Sequence, residues 1–220
     1  MVVALDELVV ADRPQAWADA GFTVEGNVCR VGSVGIRLVG PGEERGIVGW
    51  VLTGLPVHRE VLDGIPMSSP AGPREHGDPH PNGVTTIDHV VLMSPHLTRT
   101  VDALREVGLE PRRERDAELG GADVRQIFYR LDDVILELVG DPAAAGDGPS
   151  SLWGVTFNVA DIDATAAFFG ERTSRVRAAV QPGRRIATLR HRELDMSVRT
   201  ALMSPHRRGP GSPPADAVTV

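Results

Sequence analysis

IDHVVLMSPHLTRTVDALREVGLE, residues 87–110, is the stretch on which the fold reading turns. Ile87 to Met93 is a run of apolar and β-branched residues and predicts a strand. Ser94 then stands as a predicted N-cap, with Pro95 at the first helical position, where its missing N–H costs nothing. Leu97, Val101 and Leu104 follow at helical spacing, and Gly108 suits the left-handed position beyond a helix end. Outward from there come an extended RRER segment (112–115), RQIFYRLD (125–132) as a strand, a tight turn at Asp132-Asp133, and VILELVG (134–140) as a last strand. The order is βαβββ.

That order recurs. LWGVTFNVADIDATAAFFG (152–170) is a strand, a cap at Asp161, a short helix with its stripe at Ile162, Ala166 and Phe169, and a terminating Gly170. RRIATLR and MSVRTALM supply its later strands. An earlier and shorter version runs from LDELVVADRPQAWADAGF to VGIRLVG (5–40), with a helix of barely two turns from Pro14 to Ala20. VGIRLVG and VILELVG match in register at Val, Leu, Val and Gly. GIVGWVLTGL (46–55) is a further strand without its own helix, the stub of a fourth module. SSPAGPREHGDPHPNG (68–83) and DPAAAGDGPSS (141–151) read as loops.

The 220 residues, 41% hydrophobic and 24% charged, suffice for a packed core without a staple. A single cysteine, Cys29, excludes an intrachain disulfide and fits a reducing compartment. The N-terminal run carries Asp6 and Glu7 and lacks the basic start of a secretory signal. No apolar run approaches the roughly 20 residues of a membrane span, so the expected location is the cytoplasm. A net charge of −7 argues against a nucleic-acid partner. All 23 basic residues are arginine, which excludes Schiff-base chemistry and a phosphate-loop lysine.

Alternate residues of a strand share a face. Ile87, His89, Val91 and Met93 are therefore expected on one face, with Asp88, Val90 and Leu92 on the other. Ile135, Glu137 and Val139 share a face of the last strand. His89 and Glu137 thus each stand among apolar neighbours, and a buried carboxylate needs a partner. A metal, a histidine, an arginine or a substrate group would serve.

Paired βαβββ modules with His on the first strand and Glu on the last resemble the vicinal oxygen chelate superfamily, which includes glyoxalase I, extradiol dioxygenases and the fosfomycin- and bleomycin-resistance proteins. Residues 87–206 carry the resemblance well and 1–55 loosely. It implies an α+β fold in which two modules curl mixed sheets into a cup. It also implies a divalent metal at the base that chelates vicinal substrate oxygens. His89 and Glu137 fall on ligand positions, and Glu137 or a metal-bound water would move a proton. The third repeat departs from the pattern, with Gly154 opposite His89 and Ala201 opposite Glu137. In the first repeat the equivalents are Glu7 and Arg37, of which only Glu7 could ligate. Catalytic zinc usually keeps three protein ligands, and two are few. If a metal binds, these donors suit Zn, Ni, Fe or Mn. Otherwise His89 and Glu137 hydrogen-bond to each other.

For the substrate, Arg184 or Arg185 of QPGRR could hold an anionic group, and alternation admits only one of them. Trp153, Phe128 and Tyr129 could line the pocket. His76 and His80 are expected in an exposed loop, His191 at a hairpin turn, and Cys29 in a buried strand. The expected organisation is a degenerate N-terminal module with an extra strand (1–67), a linker (68–83), a paired domain (84–206, modules 84–140 and 152–206) and a disordered tail (207–220). The first module sits beside the pair or pairs across a homodimer. Two functions follow from the resemblance. One is a glyoxalase-like metalloenzyme of lyase, isomerase or dioxygenase type, acting on a small molecule with vicinal oxygens. The other is a metal-free protein that sequesters a small molecule.

Overall fold

In a computed structural model, residues 2–70, 72 and 75–205 are described. The tail expected over 207–220 lies outside them. In chain order the elements are β1 (Ala4–Val10), α1 (Pro14–Asp19), β2 (Val28–Val31), β3 (Val34–Leu38), β4 (Ile47–Thr53), β5 (Val61–Leu62), β6 (Ile65–Pro66) and β7 (Val84–Met93). There follow α2 (Leu97–Glu106), β8 (Arg113–Leu119), β9 (Ala122–Leu131), β10 (Val134–Gly140), β11 (Ser151–Val159), α3 (Ile162–Phe169), β12 (Arg177–Ala178), β13 (Arg185–Thr188) and β14 (Arg199–Met203). Short 3-10 turns lie at Gly170–Arg172 and His191–Leu194.

The fold is α+β, built on one curled mixed sheet. Its main path runs β2-β3-β1-β4-β11-β7-β10-β9-β8, with β14, β13 and β12 branching from β11. Each repeat puts its last strand parallel to its first: β10 on β7, β14 on β11 and β3 on β1. β7 and β11 pair antiparallel at the centre, and β4 takes the corresponding place beside β1. A single hydrophobic cluster joins all the repeats, from Leu8, Trp17 and Ile36 to Val90, Leu104, Leu136 and Phe157. Burying these side chains is the main stabilising contribution to the fold.

Helix boundaries follow local chemistry, with one correction. Asp161 caps α3 by accepting from the N–H groups of Asp163 and Ala164. Gly108, at φ +84°, closes α2. The N-cap of α2, however, is His96 rather than Ser94. Ser94 Oγ instead accepts from His96 N–H and bonds Thr100, so the helix starts two residues later than predicted. His80 is also corrected. It is buried, accepts from Thr23 N–H at Nδ1 (3.0 Å) and packs edge-on against Phe22, so the end of the proline-rich stretch belongs to the core of the first repeat.

The register of β7 decides the site. Thr156 pairs with His89, but the next residue, Phe157, pairs with Ile87, so Asp88 is the extra residue of a bulge. Two residues of the bulged strand then oppose one of its partner, and the side chain is re-aimed. Strict alternation therefore fails at this point. Ile87 joins Val90 and Leu92 in the core, while His89, Val91 and Met93 are half-buried along the cup.

Candidate functional site

His89 sits on the floor of a cavity of about 440 Å³ that is also lined by Gln126, Phe128, Ile135, Glu137, Gln181 and Met203. Its two nitrogens have separate partners. Nδ1 is 2.8 Å from Asp88 Oδ2, and Nε2 is 2.9 Å from Thr156 Oγ1. Glu137 Oε2 stands 3.6 Å from Nε2. The bulge explains the first contact. Without it, Asp88 would face away from its neighbour.

Asp88 is held in turn by Arg184, whose Nη1 donates to Asp88 Oδ1 at 2.6 Å. Arg184 is 2% exposed and makes further bonds to Ser204 O, Gln181 Oε1 and Asn158 Oδ1. Burial works against a charge on Asp88, but hydrogen bonds from His89 and Arg184 outweigh it and hold the carboxyl below its ordinary range. The ionised carboxylate accepts only, so the proton of a neutral His89 lies on Nδ1. Nε2 then presents its lone pair, to which Thr156 donates its hydroxyl. On the other side, Arg115 Nε donates to Gln126 Oε1 at 2.6 Å, and Gln126 Nε2 donates to Glu137 Oε1. The floor of the cup is thus a polar line: Arg115, Gln126, Glu137, His89, Asp88, Arg184.

The other residues singled out in the sequence divide differently. Arg184 enters the floor, but as the partner of Asp88 rather than as an open anchor for substrate. Arg185 turns to the outer surface and forms a two-pronged pair with Asp163 on α3, at 2.9 and 2.6 Å. Tyr129 is 1% exposed and packs into the core opposite Leu136 while bordering the same cavity as Phe128; its hydroxyl has no hydrogen-bond partner among the described residues. Trp153 stands at the rim of a different cavity, under Arg199 at 4.7 Å. His191 lies in the 3-10 turn of the connection that joins the antiparallel strands β13 and β14, a hairpin position, and lines that same cavity. In the first repeat Glu7 is paired with Arg37 at 2.7 Å, so the carboxylate is already neutralised. Cys29 is buried in β2, as expected. Asp88, Gln126 and Thr156 were missed. Gln126 alone left a signal, two residues before Phe128 on the same face.

The donors fit a resident metal poorly. Among the described residues, no group of three or more His, Cys, Asp or Glu side chains could hold an ion. The register makes Gly154 the twofold equivalent of His89 and Ala201 that of Glu137, and neither offers a ligand.

No protein-family model matches the sequence, and no curated protein matches it. Solved structures do. A mutant of 4-hydroxymandelate synthase from Streptomyces coelicolor superposes with a TM-score of 0.64 at 13% identity, over 96% of this chain and 95% of that one. A xylose isomerase-like TIM barrel/4-hydroxyphenylpyruvate dioxygenase fusion protein gives 0.60 at 13% identity, over 99% of this chain and 51% of that one. A methylmalonyl-CoA epimerase from Mycobacterium tuberculosis gives 0.42 at 16% identity, over 56% of this chain and 90% of that one. The chain has the vicinal oxygen chelate, or glyoxalase-like, fold. Among the described residues no helix is long and apolar enough to cross a membrane.

Proposed function

We propose that the cup binds a small anionic molecule and that His89 takes a proton from it at Nε2 without a resident metal. One observation carries this reading: the buried Asp88 carboxylate, 2.8 Å from His89 Nδ1 on the floor of an open cavity. A carboxylate on one ring nitrogen fixes the tautomer and stabilises the imidazolium formed when the other nitrogen accepts a proton. Arg184 holds Asp88 ionised, and Gln126 holds Glu137 in place. Glu137, 3.6 Å from Nε2, is placed to relay the proton onward or to balance the imidazolium charge. Arg112, Arg113, Arg115 and Arg130 border the same cavity, which favours an anion. The reaction class is proton transfer at a carbon or hydroxyl next to a carboxylate, as in isomerisation or elimination.

A metal-assisted reading has two observations in its favour. Two ligands on one tetrahedral ion lie roughly 3.4 Å apart when each bond is about 2.1 Å, close to the His89–Glu137 separation of 3.6 Å. A carboxylate on the second ring nitrogen is also usual for metal-bound histidine.

The test is deuterium exchange, followed by proton NMR, on a panel of small 2-oxo and 2-hydroxy carboxylates in heavy water with chelator present. Exchange by the wild type that is lost in His89→Gln supports the proposal. Exchange only after Zn, Ni, Fe or Mn is added overturns it in favour of the metal. Saturable binding without exchange in any medium leaves sequestration as the function.

A further inference from the structure

We infer that the cup holds a second chamber, which takes an apolar anion and stands independently of any proton transfer at His89. The chamber has a volume of about 490 Å³, within the range of small-molecule sites. It arises from a broken symmetry. The pairing of Val90 with Val155 centres a local twofold that carries His89 onto Gly154 and Glu137 onto Ala201. On one side of it, side chains fill the floor with polar groups. On the other the floor is a bare glycine and a methyl group, with Val91 and Leu189 beside them.

The opening is built in. A Cβ on Gly154 would meet the Arg199 carbonyl oxygen at 2.7 Å, so this position cannot carry a side chain without moving β14. Thr156 separates the chambers: it lines the apolar one and sends its hydroxyl to His89 in the other.

The rim supplies the charge. Arg190 is paired with Glu193 at 3.5 Å, but Arg192 and Arg199 have no carboxylate within ion-pair distance among the described residues. Arg199 lies over the Trp153 ring. A ligand with a flat apolar body would rest on Val91, Gly154, Ala201 and the indole. Its sulfonate or carboxylate would meet the two arginines in charge-assisted hydrogen bonds. Burying the apolar body removes the floor from water, and the guanidinium groups fix its orientation.

Trp153 also reports on the chamber. It is 43% exposed, whereas Trp17 and Trp50 are fully buried. The probe is 8-anilinonaphthalene-1-sulfonate, titrated into native protein and read by energy transfer from tryptophan. The expected result is one saturable site whose transfer falls in Trp153→Phe, which removes the nearest donor. Ala201→Phe, which fills the floor, weakens binding at least about tenfold, and removal of both free arginines in Arg192→Ala/Arg199→Ala weakens it by about the same factor. The uncharged analogue N-phenyl-1-naphthylamine binds about tenfold more weakly than the sulfonate. His89→Gln leaves the affinity within about twofold, so failure of the proton-transfer reading would not touch this one. Affinity unchanged by the double arginine variant overturns the inference. So does an equal loss in His89→Gln, which would put the probe in the other chamber. Both arginines are exposed, so their variant folds whatever becomes of Ala201→Phe.

Discussion

Replacing Arg184 by methionine tests the link between packing and site directly. The guanidinium is 1% exposed at its side chain and donates four hydrogen bonds, to Asp88, Gln181, Asn158 and Ser204 O. Methionine keeps most of the apolar stem and none of the donors. Gln181 and Asn158 are half-buried and can turn to water, so their loss costs little. Asp88 cannot, because its side chain is 8% exposed. Removing one partner of a buried pair typically costs 3–5 kcal/mol, so the expected loss is about 4 kcal/mol at neutral pH. With a urea slope of about 2 kcal/mol/M, that moves the midpoint down by about 2 M. The pH dependence has a definite sign. The folded-state pKa of Asp88 lies below its ordinary value of 3.8. Its charge therefore stabilises the fold above that pH, and the contribution fades as pH falls through the folded value. Arg184→Met removes one of the two donors that hold the pKa down. The carboxyl then takes up a proton more readily, and the gap between wild type and variant narrows in acid. The double variant Asp88→Asn/Arg184→Met should recover at least about 2 kcal/mol relative to the sum of the single variants. Urea unfolding followed by tryptophan fluorescence at pH 7 and pH 3.5 reads all of this. A loss below about 1 kcal/mol at pH 7, or one of equal size at both pH values, would refute the reasoning.

Three smaller expectations are checked by simpler measurements. Burial pushes the Cys29 thiol up to about 12, so a disulfide reagent at pH 8 should label native protein only as fast as it opens, and fully in denaturant. Tyr129→Phe removes a buried hydroxyl that has no partner among the described residues, so thermal unfolding should show unchanged or slightly higher stability, by up to about 1 kcal/mol, with ligand affinity intact. Asp161→Ala deletes the carboxylate that caps α3 and should cost about 1 kcal/mol in the same assay, while a drop too small to detect would mean that solvent replaces the cap.

The sequence by itself determined the main elements and their order, though not the short strands β5, β6 and β12. Period-2 and helical spacing, the Asp161 cap, Gly108, Gly170 and the turn at Asp132 are local signals, carried by neighbours within a few residues, so they survive without knowledge of the partner strands. The recurrence of one unit carried the resemblance to the vicinal oxygen chelate superfamily, and that resemblance implied a curled mixed sheet, while the lack of lysine and the lone cysteine excluded whole chemistries. His89 and Glu137 were legible because a polar group on an apolar strand face stands out. The identity of the site was a tertiary matter. Whether Asp88 faces its neighbour depends on a bulge, and a bulge exists only in the register between β7 and β11, whose paired residues are almost seventy positions apart. The partner of Asp88 comes from position 184, and the residue that holds Glu137 comes from β9. Tyr129 and Phe128 are equally aromatic in sequence, yet pairing sends one to the core and the other to the cup. Local patterning specifies which backbone segments form, because those interactions close within a turn or a pleat. Which side chains meet, and which cavity they face, is decided only when distant strands pair.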